Sequence, residues 1–144
     1  MNSVLLTGAT GFIGQRLQKA LSGCGISVEA LVRPSSISRA RLIPGVTAVA
    51  AELSNSENLR PALLRADAVI YCAGSVRGRH LDDFHEANVG GIAAMVAEMN
   101  QAESNIPLLL VSSLAATRPE VSNYARSKYL GEQELIQNAQ SLAT

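Results

Sequence analysis

The sequence predicts an α/β, doubly wound fold on a parallel sheet of about five strands, and three observations predict it. Short apolar runs alternate with longer stretches of helical periodicity along the 144 residues. The chain is 47% hydrophobic but only 3% aromatic, so Ala, Val, Leu and Ile carry the packing, as in parallel strands covered by helices on both faces. The first apolar run leads straight into spaced glycines and then a helical pattern, the opening of a right-handed strand–helix–strand crossover. The length suits one domain, residues 1–144, with enough chain to bury a core.

Taken in order, Val4-Leu5-Leu6 reads as the first strand and Phe12 to Leu21 as the first helix, with Phe12, Ile13, Leu17, Ala20 and Leu21 apolar. Gly23 and Gly25 supply the exit from that helix. A second strand, Val28 to Val32, stops at Arg33-Pro34, and a serine-rich stretch leads through Pro44-Gly45 to a third strand at Val46 to Ala50. Asn58 to Arg65 reads as a helix with Pro61 in its first turn. Ala68 to Tyr71 is the fourth strand, Asp82 to Glu103 one long helix, Leu108 to Val111 the fifth strand, and Ser122 to Gln140 the last helix.

Composition narrows the function. Twelve basic and twelve acidic side chains cancel, and no basic run stands out, which argues against nucleic acid as a partner. Cys24 and Cys72 lack metal-ligand spacing and read as reduced thiols, Cys72 as core rather than nucleophile. His80 and His85, with Asp82, Asp83 and Glu86 nearby, read as a solvated loop and helix start rather than a metal site. Arg77 and Arg79 read as surface charge, with a phosphate contact as the alternative. No stretch reaches membrane-spanning length and no basic flank precedes the first strand. The expectation is a cytoplasmic protein with no membrane partner.

The glycines carry the strongest signal. Gly8-Ala9-Thr10-Gly11-Phe12-Ile13-Gly14 follows a strand and opens a helix, the setting a Rossmann phosphate loop requires. Gly8 permits the tight turn, Gly11 lets backbone approach a pyrophosphate, and Gly14 lets the helix close on the strand. Free amides and the positive helix end then receive the phosphates of a nicotinamide dinucleotide. At the end of the second strand an acidic residue would bind the ribose 2′-hydroxyl of NAD. Arg33 stands there instead, followed by Ser35 and Ser36, and a guanidinium suits the 2′-phosphate of NADP. NADP is therefore favoured over NAD; a solvated surface arginine is the alternative.

Tyr124 and Lys128 lie four residues apart and share one helical face. A phenol titrates near about 10, and a neighbouring ammonium moves it toward working pH, where it serves as a general acid or base. Lys128 could also hold the nicotinamide ribose. Ser113, at the end of the fifth strand, could orient a substrate carbonyl or hydroxyl, because ligands gather at such strand ends.

Thr7 to Gly14, Asp67 to Gly74, Asn88-Val89, Val111-Ser112-Ser113 and Tyr124 to Lys128 follow one another in an order and spacing that resembles the extended short-chain dehydrogenase/reductase family, the epimerase/dehydratase group. The resemblance covers essentially the whole chain. It implies a Ser113–Tyr124–Lys128 catalytic group with Tyr124 as general acid/base, and cofactor contacts from Gly8, Thr10, Gly11, Phe12, Ile13, Gly14, Ala73 and Gly74. Asn88 is similar to the asparagine that supports a water relay to the lysine, with helix packing as the alternative. Glu52-Leu53 stands where many members place Asp and an apolar residue against the adenine.

Three features depart from the family pattern. Leu114 to Pro119 replaces a Tyr-Gly pair, the gap between Ser113 and Tyr124 is short, and the sequence stops where a sixth strand and a C-terminal lobe are expected. The chain is accordingly read as truncated, with half of the substrate site missing. The expected substrate is a small molecule: a nucleotide sugar, a sterol-like alcohol or a small ketone. The expected activity is NAD(P)-dependent oxidation–reduction, epimerisation or dehydration. A non-catalytic NAD(P)-binding sensor or scaffold is the alternative, and the resemblance implies a homodimer.

Overall fold

The computed structural model describes residues 2–53 and 56–139. Five strands form one sheet in the order β3-β2-β1-β4-β5: β1 (Ser3–Thr7), β2 (Ser27–Val32), β3 (Thr47–Ala50), β4 (Ala68–Tyr71) and β5 (Leu108–Leu110). Every pairing is parallel, with Val4 opposite both Val28 and Ala68. The doubly wound, five-stranded Rossmann-type fold expected from the sequence is therefore the one observed.

Alternation along the strands sends side chains to two cores. Leu5, Leu31, Val69 and Tyr71 face one side and meet Leu59 and Leu63 of α2 (Ser56–Arg65) and Ile92, Met95, Val96 and Met99 of α4 (Gly91–Gln101). Leu6, Val28, Ala30 and Val32 face the other side, under Leu17 and Leu21 of α1 (Phe12–Gly23). α5 (Asn123–Asn138) packs beside α4 and is capped by Ser122, whose Oγ accepts from Ala125 N–H at 3.0 Å.

The structure corrects several details. The long helix expected from Asp82 to Glu103 is α3 (Asp82–His85), a π-helical turn over Glu86–Gly90, and then α4, which ends at Gln101 before a left-handed Glu103. The cause lies on β4: Tyr71 Oη donates to the Ala87 carbonyl at 2.9 Å and competes for that acceptor. Gly91 makes room, since a Cβ there would stand 2.1 Å from Tyr71 Oη. Phe12 and Ile13, read as part of the apolar face of α1, are 83% and 49% exposed, and that helix instead buries Gly14 and Gln18. The serine-rich stretch after β2 folds as a 3-10 turn, Pro34–Arg39. Val111 lies beyond β5 yet still donates to Tyr71 O at 2.9 Å. Gln140, the expected end of the last helix, lies outside the described residues.

Candidate active site

Sheet order places the ends of β1 and β4 side by side, and the chain leaves them toward opposite faces. A cavity of about 1170 Å³ opens there. Thr10 and Gly11 of the glycine loop, Arg33 after β2, Glu52 and Leu53 after β3, and Ala73, Gly74 and Ser75 after β4 form its wall.

The glycine loop is held by close backbone contact. Gly8 has φ +65°, and a Cβ on it would lie 2.6 Å from the Cys72 carbonyl and the Ala73 amide. Gly14 presses on Gly8, where a Cβ would stand 2.1 Å from the Gly8 oxygen. Gly11 N–H donates to Gly8 O at 3.0 Å and closes the turn. No side chain caps α1 and its first turn holds no carboxylate, so the helix presents open amides and a positive end to an anion. These features fit a dinucleotide pyrophosphate.

Two polar side chains that sequence reasoning passed over brace the loop. Thr7 Oγ1 accepts from both Cys72 N–H and Ala73 N–H, at 3.1 and 3.0 Å, and so clasps β1 to β4. Gln18, fully buried, donates to Ala9 O at 2.8 Å and accepts from Ile43 N–H at 2.9 Å. A hydroxyl at a strand end and an amide one turn beyond Gly14 were the available signals.

Arg33 is exposed at the cavity edge, and its guanidinium makes no hydrogen bond or ion pair among the described residues. Ser35 and Ser36 share its wall, and Arg39 turns away to the Ser35 carbonyl at 3.3 Å. Glu52 is exposed, whereas Leu53 is half-buried and packs near Gly91.

Ser113 follows β5, while Tyr124 and Lys128 lie on α5; among the described residues no hydrogen bond joins any two of them, and none of the three is part of the cavity wall. Ser113 Oγ accepts from Ala115 N–H at 3.2 Å and starts a 3-10 turn, Leu114–Thr117. Ser112 Oγ, next to it, is buried with no partner among the described residues. Lys128 is buried, and its ammonium donates to Val111 O at 2.9 Å. Desolvation holds its pKa below the usual lysine value, opposed by the nearby Cys72 and Glu132. Burial pushes the Cys72 thiol up in turn, with the Lys128 charge pulling it the other way; the residue is half-buried and part of the cavity wall, not fully in the core. The Tyr124 ring stands edge-on to the buried Phe84, with centroids 6.0 Å apart.

Among the expected cofactor residues, Gly8, Thr10, Gly11, Arg33, Glu52, Leu53, Ala73 and Gly74 lie in the cavity wall. Phe12 and Ile13 stand exposed beside it, Gly14 packs behind it, and Ser113, Tyr124 and Lys128 belong to the β5–α5 side. The Asn88 side chain bonds to Ser75 and Ser127 and makes no direct hydrogen bond to Lys128. Asp83, read as dipole-favourable, accepts from Arg79 N–H and His80 N–H at 2.7 and 2.9 Å, and these bonds hold its carboxyl below the usual range. Among the described residues, no helix is long and apolar enough to cross a membrane.

Comparison with known proteins bears on the family and the fold. A family described as NAD(P)H-binding matches residues 8–141. A ceramide reductase of Caulobacter vibrioides is 36% identical over 129 residues, 90% of this chain and 40% of the relative. A ketoreductase of Stigmatella aurantiaca, named for a 4-hydroxy-2-methyl-3-oxo-4-farnesyl-3,4-dihydroquinoline-1-oxide, is 32% identical over 98 residues, 67% of this chain and 29% of the relative. The crystal structure of UDP-glucose 4-epimerase from Brucella ovis in complex with NAD superposes with a TM-score of 0.80 at 24% identity, covering 96% of this chain and 48% of that one. The chain thus spans less than half the length of each of these three proteins.

Proposed function

The chain belongs to the NAD(P)H-binding family, and from that premise we propose that it is the cofactor-binding part of an NADP-dependent oxidoreductase of the extended short-chain dehydrogenase/reductase type. The observation that carries the reading is the uncapped N-terminus of α1, set by the Gly8–Gly14 contact, opening on a cavity that Arg33 flanks. The open amides take the pyrophosphate, and Arg33, with Ser35 and Ser36, takes a 2′-phosphate in a charge-assisted contact. Glu52 and Leu53 border the adenine.

When bound, the nicotinamide supplies the hydride acceptor or donor. Tyr124 takes the proton of the substrate hydroxyl in oxidation and returns it in reduction. Lys128 stabilises the phenolate by its charge. Ser113 Oγ aligns the substrate oxygen. The substrate is an alcohol or ketone with a large apolar portion. Two relatives are named for a ceramide and for a farnesyl-bearing compound, and bare apolar side chains adjoin the candidate catalytic residues here: Leu114, next to Ser113, is 87% exposed, and Val121, shortly before Tyr124, 56%.

A second reading, a dinucleotide-binding module without turnover, draws support from the absence of hydrogen bonds among Ser113, Tyr124 and Lys128. Calorimetric titration tests the common core of both readings. NADPH should bind at least tenfold tighter than NADH, about 1.4 kcal/mol, and Arg33→Ala should remove that preference. Tighter NADH binding overturns the assignment to Arg33, and a folded chain that takes up neither nucleotide overturns both readings.

A further inference from the structure

Two buried side chains form a continuous hydrogen-bonded strut from the loop after β4 to the first turns of α5. Asn88 Oδ1 accepts from Ser75 N–H at 2.9 Å, and its Nδ2 donates to Ser75 O at 3.0 Å and to Ser127 Oγ at 2.9 Å. Ser127 Oγ donates in turn to the Tyr124 carbonyl at 2.7 Å. Asn88 and Ser127 are both fully buried. One turn later Gly131 lets the same helix press on the π-helical turn, where a Cβ would stand 2.2 Å from Asn88 O. Serine is a poorer helix former than alanine, so helix propensity does not account for a hydroxyl at this interior position. Ser75, at the far end of the strut, is part of the cavity wall.

We propose that Ser127, acting through Asn88, is a positioning residue that fixes the rotation and axial setting of α5, so that Tyr124 and Lys128 serve the nicotinamide half of the dinucleotide. The inference rests on the proposed function, because it assumes that Tyr124 and Lys128 work at that half. The strut contacts α5 one residue before Lys128 and at the carbonyl of Tyr124, so it acts on both side chains through one short piece of backbone. Arg33, Ser35 and Glu52, proposed for the adenosine half, follow β2 and β3, on the side of β1 away from β5 and the α5 that follows it.

The test compares NADPH with 2′,5′-ADP, which has the adenosine 2′-phosphate but no nicotinamide, on the wild-type chain, Ser127→Ala and Ser127→Cys. Loss of the two hydrogen bonds made by the Ser127 hydroxyl should weaken NADPH about tenfold in Ser127→Ala, while 2′,5′-ADP changes less than twofold. The fluorescence of bound NADPH should shift toward that of the free nucleotide. Ser127→Cys, with a weaker donor of similar shape, should fall between. Equal weakening of both ligands, or no weakening of either, overturns the positioning role while leaving the proposed function intact. Wild-type protein that binds neither ligand overturns the function instead. Failure of Ser127→Cys to fold overturns the inference, since it would make the hydroxyl a requirement of the fold and not of the site.

Discussion

Replacing Gly14 by alanine sets two effects of opposite sign against each other. In an exposed helix interior the change stabilises by about 1 kcal/mol, because alanine is the better helix former. At Gly14 the added Cβ would stand 2.1 Å from Gly8 O, 2.7 Å from Ala9 Cα and 2.8 Å from the Ala9 carbonyl carbon, all backbone and all well short of the 3.4 Å at which ordinary contact begins. No side chain can rotate away, so α1 must lift off the loop by roughly an ångström. Overpacking of this kind costs about 1–3 kcal/mol, which outweighs the helix term. We expect a net loss of up to about 2 kcal/mol, a fall in Tm of up to roughly 8 °C. Moving the helix end also moves the amides that face the phosphates, so NADPH affinity should fall at least tenfold, more than the stability loss alone would produce. Gly23, in the last turn of the same helix, is the control: nothing lies within 4 Å of its Cβ position, so Gly23→Ala should melt at or slightly above wild type. Thermal melts with and without NADPH decide the matter. Gly14→Ala that melts like Gly23→Ala and binds NADPH normally would refute the argument from close approach.

Three further outcomes follow from the site. Tyr124→Phe keeps the edge-on contact with Phe84 and should bind NADPH within about twofold of wild type, yet reduction of an apolar ketone, followed at the nicotinamide absorbance, should drop about a hundredfold or more; undiminished turnover contradicts the acid–base role. Thr7→Val preserves shape but strands the Cys72 and Ala73 amides, so urea unfolding should show a loss of about 2 kcal/mol, and an unchanged midpoint would mean the clasp is not structural. The lowered pKa of Lys128 means that the folded chain holds that proton less firmly than the unfolded one. Its burial is therefore unfavourable below the lowered value, and the penalty lifts as pH rises from there toward 10.5. Wild type should gain stability relative to Lys128→Met across that interval; a pH-independent difference between the two would place the ammonium in an environment like water.

Much of this was legible because it depends on neighbours in sequence. β4 begins and ends where its apolar run does, and the spaced glycines predict a turn whose tight contacts the structure displays at Gly8 and Gly14. What escaped depends on contacts distant in sequence. The π-helical turn exists because a tyrosine on β4 reaches the Ala87 carbonyl, and no local pattern in Asp82 to Glu103 carries that information. Phe12 and Ile13 fit a helical stripe, but the core on that side of the sheet closes over Leu17 and Leu21, leaving the first turn bare at the cavity edge. Gln18 sits where periodicity asks for an apolar side chain, and its amide is satisfied by Ala9 O and by the passing 41–43 segment. Tyr124 and Lys128 share a face by spacing alone, whereas their setting against the cavity depends on how α5 is seated on Asn88.

These long-range contacts share one location. The Thr7 clasp, the Tyr71–Ala87 bond, the Asn88–Ser75 pair and the Lys128–Val111 bond all cluster around the C-terminal ends of β4 and β5. The β3-β2-β1-β4-β5 order explains why polar clasps are needed there. After β1 the chain turns to one face of the sheet and after β4 to the other, so no single layer of apolar side chains spans the crevice between them. An apolar bridge would fill the space a ligand occupies, whereas buried hydrogen bonds hold the rim with little volume and a defined direction. The two cores can therefore stabilise the sheet without fixing the crevice. On this argument, removing a clasp should disturb ligand geometry as well as stability, while trimming Leu5 or Leu6, both fully buried beneath the helices, should lower stability and leave ligand geometry in place.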